Sequence, residues 1–293
     1  MDEAVERVRS NIFYGAHGAI SDWEGFPWHT TRGSNKSDSW KRESSQALSI
    51  DVFGTIKASP DCDAIMSCLA RKLGIEDAGR WTVCLEWKDP ENLLNEQRQT
   101  QVDAIAWSEN SVLVFECKFT EGGGCCSQPN ALGEGANKGL RQCNGNYEPQ
   151  TNPVDKSSGR CALTGKRIGY WQSIPRLFGL DADRDYRPCP FRGEDYQWMR
   201  NVVLAERVAK GRNWRVVAAF AEGEGFPTSD KVKKGLLGYR PLSGPDPVFP
   251  MSYQEIAKAA RLASSHPATW SDLEGWIASK VSYTQNLLAG AKA

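Results

Sequence analysis

Asp103, Glu116 and Lys118 are the side chains whose types and spacing could do chemistry. They fall in TQVDAIAW (100–107) and SVLVFECKF (111–119), two runs rich in Val, Ile and aromatics that are separated by the turn-like Ser108-Glu109-Asn110. Residues two apart on a strand share a face, so Glu116 and Lys118 point one way while Phe115 and Cys117 point the other. If the turn closes a hairpin, Asp103 lies opposite or diagonal to them. Two carboxylates and an ammonium flanked by Ile105, Val112 and Val114 are costly to bury without a ligand. A divalent cation resolves that conflict. Oxygen ligands from Asp103 and Glu116, completed by water and phosphate oxygens, suit Mg²⁺ or Mn²⁺. The lysine can then orient or deprotonate an attacking water, or stabilise charge building on phosphorus. The competing reading is a surface hairpin with an ordinary Glu116–Lys118 salt bridge, and the apolar flanks speak against it.

The elements that must hold these residues are legible on both sides. WKRESSQALSIDVFGTI (40–56) reads as a helix with a broad apolar face of Ala47, Leu48, Ile50, Val52 and Phe53, ended by Gly54. CDAIMSCLARKLG is a second amphipathic helix, started near Pro60 and closed by Gly74. WTVCLEW (81–87) precedes the hairpin as a strand. Residues 194–209 form a helix, and WRVVAAFAE (214–222) has the continuous apolar run of a buried strand. Pro241–Pro250 is a Pro-rich connection, and helices at 252–263 and 270–289 close the chain.

Between Thr120 and about Gly169 the sequence turns rich in Gly, Asn, Gln, Cys and Ser, with one candidate helix around 135–144. It is too long for an unstructured loop in a compact domain. Cys125, Cys126, Cys143, Cys161 and Cys189 fall here or just beyond. Four of these thiolates could bind a structural Zn²⁺, but no C-x₂-C pair singles out a set, so zinc, an iron–sulfur cluster and free thiols all stay open. Cys62, Cys68, Cys84 and Cys117 lie in periodic segments and read as core. Basic residues of the same region, among them Arg141, Lys156, Arg160, Lys166, Arg167, Arg176, Arg187, Arg192 and Arg200, alternate with Tyr147, Tyr170, Trp171, Phe178 and Tyr196. That interleaving suits phosphate contacts with base stacking, against a solvated surface as the plain alternative. LTGKRIGY lacks the spacing of a phosphate loop.

Composition sets the outer bounds. The 293 residues carry 36 basic and 36 acidic groups. That neutral sum divides into net −6 over 1–118, +5 over 119–215 and +1 over 216–293, an acidic part holding the metal-ligand candidates beside a basic middle. Three histidines argue against His-rich zinc catalysis and His-dependent triads. Nine cysteines, an odd number, fit a reducing, cytoplasmic setting better than a disulfide framework. No run is long enough to span a membrane, and MDEAVERVRS has no signal-peptide order.

Asp103, the twelve-residue spacer and Glu116-Cys117-Lys118 resemble the D…(E)xK signature of the PD-(D/E)XK phosphodiesterase superfamily of restriction and recombination nucleases. The order of elements over roughly 40–222 also resembles its α-β-β-β-α-β core. The resemblance implies an α/β, restriction-endonuclease-like fold with an N-terminal arm (1–39), a core (40–222) carrying a Cys/Gly-rich insertion (about 120–192), and a helical C-terminal extension (223–293). It implies Mg²⁺-dependent nuclease activity on nucleic acid, DNA ahead of RNA, with Glu43 joining the metal site from the first helix. Gln142, with Tyr147, would stand near the QxxxY of RecB-like members, one residue too far apart. Val102 replaces the usual proline. From the basic and aromatic interleaving, Arg141, Tyr147, Lys166, Arg167 and Arg200 are the expected nucleic-acid contacts. A binding or regulatory module without turnover, its Cys-rich insertion stapled by metal, is the alternative.

Overall fold

The computed structural model describes residues 3–30, 37–234 and 247–291. Among them are α1 (Glu3–Arg9), a 3₁₀ segment (Tyr14–Ala19), α2 (Ser45–Ser49), a π turn (Ile50–Gly54), α3 (Thr55–Ala58), α4 (Cys62–Lys72), β1 (Thr82–Lys88), β2 (Gln101–Trp107) and β3 (Ser111–Lys118). The chain continues through β4 (Gln150–Thr151), β5 (Ser158–Gly159), α5 (Ala162–Gly165), α6 (Tyr170–Phe178), α7 (Asp195–Ala209), β6 (Asn213–Phe220), α8 (Pro227–Lys234), β7 (Val248–Ser252), α9 (Tyr253–Ala263) and α10 (Pro267–Gly290).

Five strands form one sheet in the order β1-β2-β3-β6-β7. The first three are antiparallel neighbours, while β3, β6 and β7 run parallel. A parallel β3–β6 pair needs a crossover, and the chain from 119 to 212, including α7, provides it. β3 is buried along its whole length, as expected of the strand where the antiparallel and parallel halves meet.

Alternation along the strands divides the core in two. Ala104, Ala106, Leu113, Phe115, Val217 and Ala219 pack with the helices of 45–72 and with α9 and α10. Ile105, Val112, Val114, Val216 and Ala218 pack with α6 and α7. The sheet is therefore a middle layer covered by helices on both faces.

Several expectations need correcting. Gly54 does not end the first helix, which passes through a π turn and continues as α3 to Ala58. A Cβ at Gly54 would stand 2.9 Å from that of Ala16, so the glycine lets the 3₁₀ segment pack closely on the helix. No helix forms around 135–144, where Gly135 and Gly139 both have left-handed backbone, at φ 77° and 83°. The Pro-rich connection falls partly on 241–246, outside the described residues. Its end is β7, an edge strand that carries Pro250, where the missing N–H removes no bond from an interior ladder. No helix among the described residues is long and apolar enough to cross a membrane.

A candidate active site on three neighbouring strands

β2 and β3 pair through Ala104↔Phe115 and β1 and β2 through Leu85↔Ala104. The next position along this row brings Glu86, Asp103 and Glu116 side by side on three strands. The backbone departs from regularity there. Glu86 has φ 50°, and alternation slips past it, since Leu85 packs on the first core and Trp87 on the second. β2 slips in the same way between Val102 and Ala104. The register is kept across this break, and a non-glycine residue in the left-handed region costs about 1–3 kcal/mol that the surroundings must supply.

Glu116 is buried and engaged at both oxygens. Oε1 accepts from Lys118 Nζ at 2.9 Å and from Gln197 Nε2, and Oε2 accepts from Asn201 Nδ2 at 2.6 Å. Gln197 and Asn201 are four apart on α7, hence one above the other on the face toward the sheet. The Lys118 ammonium lies 6.0 Å from the Trp198 ring centroid. Asp103 Oδ2 accepts from the Cys117 amide at 2.6 Å. Glu86 Oε2 accepts from Gln101 Nε2 at 2.6 Å and lies 3.6 Å from His29 Nε2. Glu86 Oε1 and Asn201 Oδ1 are buried without a hydrogen-bond partner among the described residues.

Crowding of charge shows in the titration. Burial pushes the Asp103 carboxyl well above its ordinary range, and Glu116 and Glu86 push it further, against Lys118 and the Cys117 amide. Burial disfavours the Lys118 ammonium, but Glu116 and Asp103 outweigh it and its pKa is raised. The Glu86 contact raises His29, against burial and with help from Glu121 and Glu116.

The donor set is all oxygen and carries more negative charge than Lys118 balances. Among the described residues no three His, Cys, Asp or Glu side chains are already arranged as a metal site. An ion here would draw on one or two carboxylates plus water and phosphate oxygens. Mg²⁺ is bound in that way and Mn²⁺ shares its taste for oxygen ligands, so the residues fit either.

Of the residues expected from the sequence, the structure brings together Asp103, Glu116 and Lys118. Glu43 precedes α2, and no hydrogen bond or ion pair joins it to the carboxylates. Instead Ser45, at the start of α2, donates to Glu121. Gln142 lies in irregular chain, its amide donating to Gln128 O at 3.1 Å, away from Glu116. The glutamine that meets Glu116 is Gln197, not Gln142. Tyr147 is not a stacking platform for a base. It is buried, stacked on Trp171 at 3.6 Å between centroids, and its hydroxyl donates to Ala182 O. Arg141 and Arg167 are exposed. Lys166 and Arg200 are half-buried, and Lys166 donates to Gln128 Oε1 at 2.7 Å. Of the other arginines, Arg160 pairs with Asp185, Arg176 with Glu206 and Arg187 with Glu148. Sequence reasoning missed Glu86, Gln197 and Asn201. Glu86 carried no readable signal, because the β1–β2 register does not follow from the sequence, whereas the i, i+4 amides of QWMRN were the available signal for the pair on α7.

A helix-covered mixed sheet with carboxylates and a lysine gathered on neighbouring strands defines an α/β protein with an acidic cluster at its sheet. The family described as "Restriction Endonuclease associating with ARP" matches residues 22–224, and the chain belongs to it. No curated protein and no solved structure matches the chain.

Proposed function

We propose that this protein is a metal-dependent nuclease of the PD-(D/E)XK type that hydrolyses phosphodiester bonds in DNA. The observation that carries the reading is the row Glu86–Asp103–Glu116 on adjacent strands, with Lys118 bonded to Glu116. Asp103 and Glu116 would hold Mg²⁺ or Mn²⁺, and Glu86 is positioned to add a third oxygen donor. A bound ion would supply charge to the phosphoryl oxygens and acidify a bound water. Lys118, kept as an ammonium by its carboxylate neighbours, donates to the attacking water or to the charge growing on phosphorus rather than abstracting a proton. Gln197 and Asn201 hold the Glu116 carboxylate in one orientation. Exposed Arg141 and Arg167 are candidates for backbone phosphates. The family description supports a nuclease acting on DNA.

The test is cleavage of circular and linear DNA with Mg²⁺ or Mn²⁺. Activity should appear in the wild type and fall by several orders of magnitude in Lys118→Ala and Asp103→Asn. Full activity in both variants, or none in the wild type on DNA and RNA alike, refutes the assignment. One observation favours a second reading, a DNA-binding module without turnover: Glu116 is already fully engaged by protein donors. Salt-sensitive binding without cleavage at every divalent ion would identify that case.

A further inference from the structure

The segment 121–149 contains no helix or strand, yet it is tied to distant parts of the chain. The Cys126 amide donates to Arg192 O at 3.2 Å, the Cys143 amide to Gln128 O at 3.3 Å, and the Cys189 amide to Gly145 O at 3.0 Å. Gln150 Nε2 donates to Arg160 O, next to Cys161, at 3.3 Å, and its Oε1 accepts from the Asn144 amide, next to Cys143, at 2.9 Å. Each contact joins the neighbourhoods of two cysteines, and together they gather Cys126, Cys143, Cys161 and Cys189 from four places in the sequence. None of the four is in a disulfide and all are half-buried, whereas Cys125 is exposed.

We propose that Cys126, Cys143, Cys161 and Cys189 bind one structural Zn²⁺, which holds the Cys/Gly-rich insertion to the face of the molecule that carries α6 and α7.

A second feature points to the same ligand. The Cys126 sulfur accepts from the amide of Gln128, Cys143 from Gly145 and Cys189 from Phe191, each two residues further on. An amide turned back towards the sulfur two residues earlier favours the thiolate, as the outer-shell donors of a metal site do. Gly145, at φ 86°, permits the tight turn after Cys143. Cys126 lies in the field of Cys161 and Cys143, and Cys189 in the field of Cys161, Cys126 and Cys143. That mutual effect requires the four sulfurs to be near one another. Four thiolates around Zn²⁺ leave a double negative charge, and Lys166 lies in the field of Cys126, Cys161 and Cys143 to offset part of it.

Cys126 and Cys189 also line a cleft of about 850 Å³ that an ion could enter. This cleft opens beside the cysteines and not over Asp103 and Glu116. Among the described residues the thiols do not already form a closed metal cage, so binding requires the four sulfurs to draw closer together. Tetrahedral zinc then contributes what this segment lacks in apolar burial. The site is independent of the nuclease reading.

The test is metal analysis of the purified full-length chain. Expected are about one zinc per chain retained through dialysis against a mild chelator, and tetrahedral thiolate bands when Co²⁺ replaces it. Serine at any of the four positions should abolish retention, while Cys125→Ser keeps it. If those variants do not fold, titrating wild type with a mercurial should release the zinc as four thiols react. Iron with sulfide in place of zinc overturns the proposal. So does a folded protein with no bound metal, no Co²⁺ spectrum and all thiols freely reactive, or loss of metal in Cys125→Ser alone.

Discussion

Glu116 shows how the site divides labour between chemistry and support. One oxygen meets Lys118 and Gln197, the other Asn201, so rotation of the carboxylate breaks bonds that buried groups cannot replace from water. Removing an outer-shell partner of a metal ligand typically costs 10–100-fold in affinity or activity. Gln197→Ala and Asn201→Ala should therefore each raise the Mg²⁺ concentration needed for half-maximal cleavage by roughly 10-fold or more. DNA binding measured without Mg²⁺ should stay near wild type. If the two variants lose DNA binding and keep their metal requirement, the amides contact DNA and do not orient Glu116. Glu86 makes a separate prediction. Its carboxylate crowds Asp103, whose pKa it helps to raise, so Glu86→Gln should raise the Mg²⁺ concentration needed for half-maximal cleavage while stabilising the metal-free fold, as read by urea denaturation at neutral pH. Equal stability would mean that the third carboxylate imposes no charge strain.

At the scale of elements, the β2–β3 hairpin sets the register of the site, and Asp77 holds its turn. Asp77 Oδ2 accepts from Ser108 Oγ at 2.5 Å and Ser111 Oγ at 2.6 Å, while Oδ1 accepts from the Gly79 amide at 2.9 Å. Burial raises its pKa, but these donors outweigh burial and the net shift is downward from 3.8. A depressed carboxylate adds stability that is present above its unfolded value and lost as pH falls through the folded one. Asp77→Ala should thus cost about 1–3 kcal/mol at neutral pH, and the gap between it and wild type should narrow below about pH 4. A pH-independent gap would remove the ionised-carboxylate account. This hairpin was legible because period-2 alternation and a polar turn state it directly, and the flanking strands and helices α4, α7, α9 and α10 were legible for similar reasons. Other features had no such signal. The π turn at Ile50–Gly54 leaves the apolar pattern of its helix intact, and β7 is short and holds a proline. Glu86 was hidden because the connection from Lys88 to Gln101 obscures which residues of β1 and β2 face one another. The segments that carry Cys126, Cys143, Cys161 and Cys189 are tied by hydrogen bonds between irregular stretches, which no spacing rule records.

Across the whole molecule, the matched family segment ends well before α9 and α10, yet both helices belong to the same core as β3. Trp270, Leu273 and Ile277 are buried with Phe53 and Phe115. One polar hub fastens the two ends of the chain. Asp51, in the π turn, accepts from Lys280 Nζ at 2.7 Å, Trp276 Nε1 at 2.9 Å and the Phe13 amide at 2.6 Å, and Lys280 also donates to Asn11 O at 2.8 Å. Both charged side chains are fully buried. Such a pair adds little over an apolar replacement, but losing one partner strands the other charge, at about 3–5 kcal/mol. Lys280→Met should lower stability by about that amount. Asp51→Asn in the same chain should restore part of it, because the neutral amide oxygen still accepts from Phe13 and needs no counter-charge. Urea midpoints of the two single variants and the double variant give the coupling directly. A double variant as unstable as the sum of the singles would show that Asp51 and Lys280 act separately, and that the terminal helix is held by its apolar face alone.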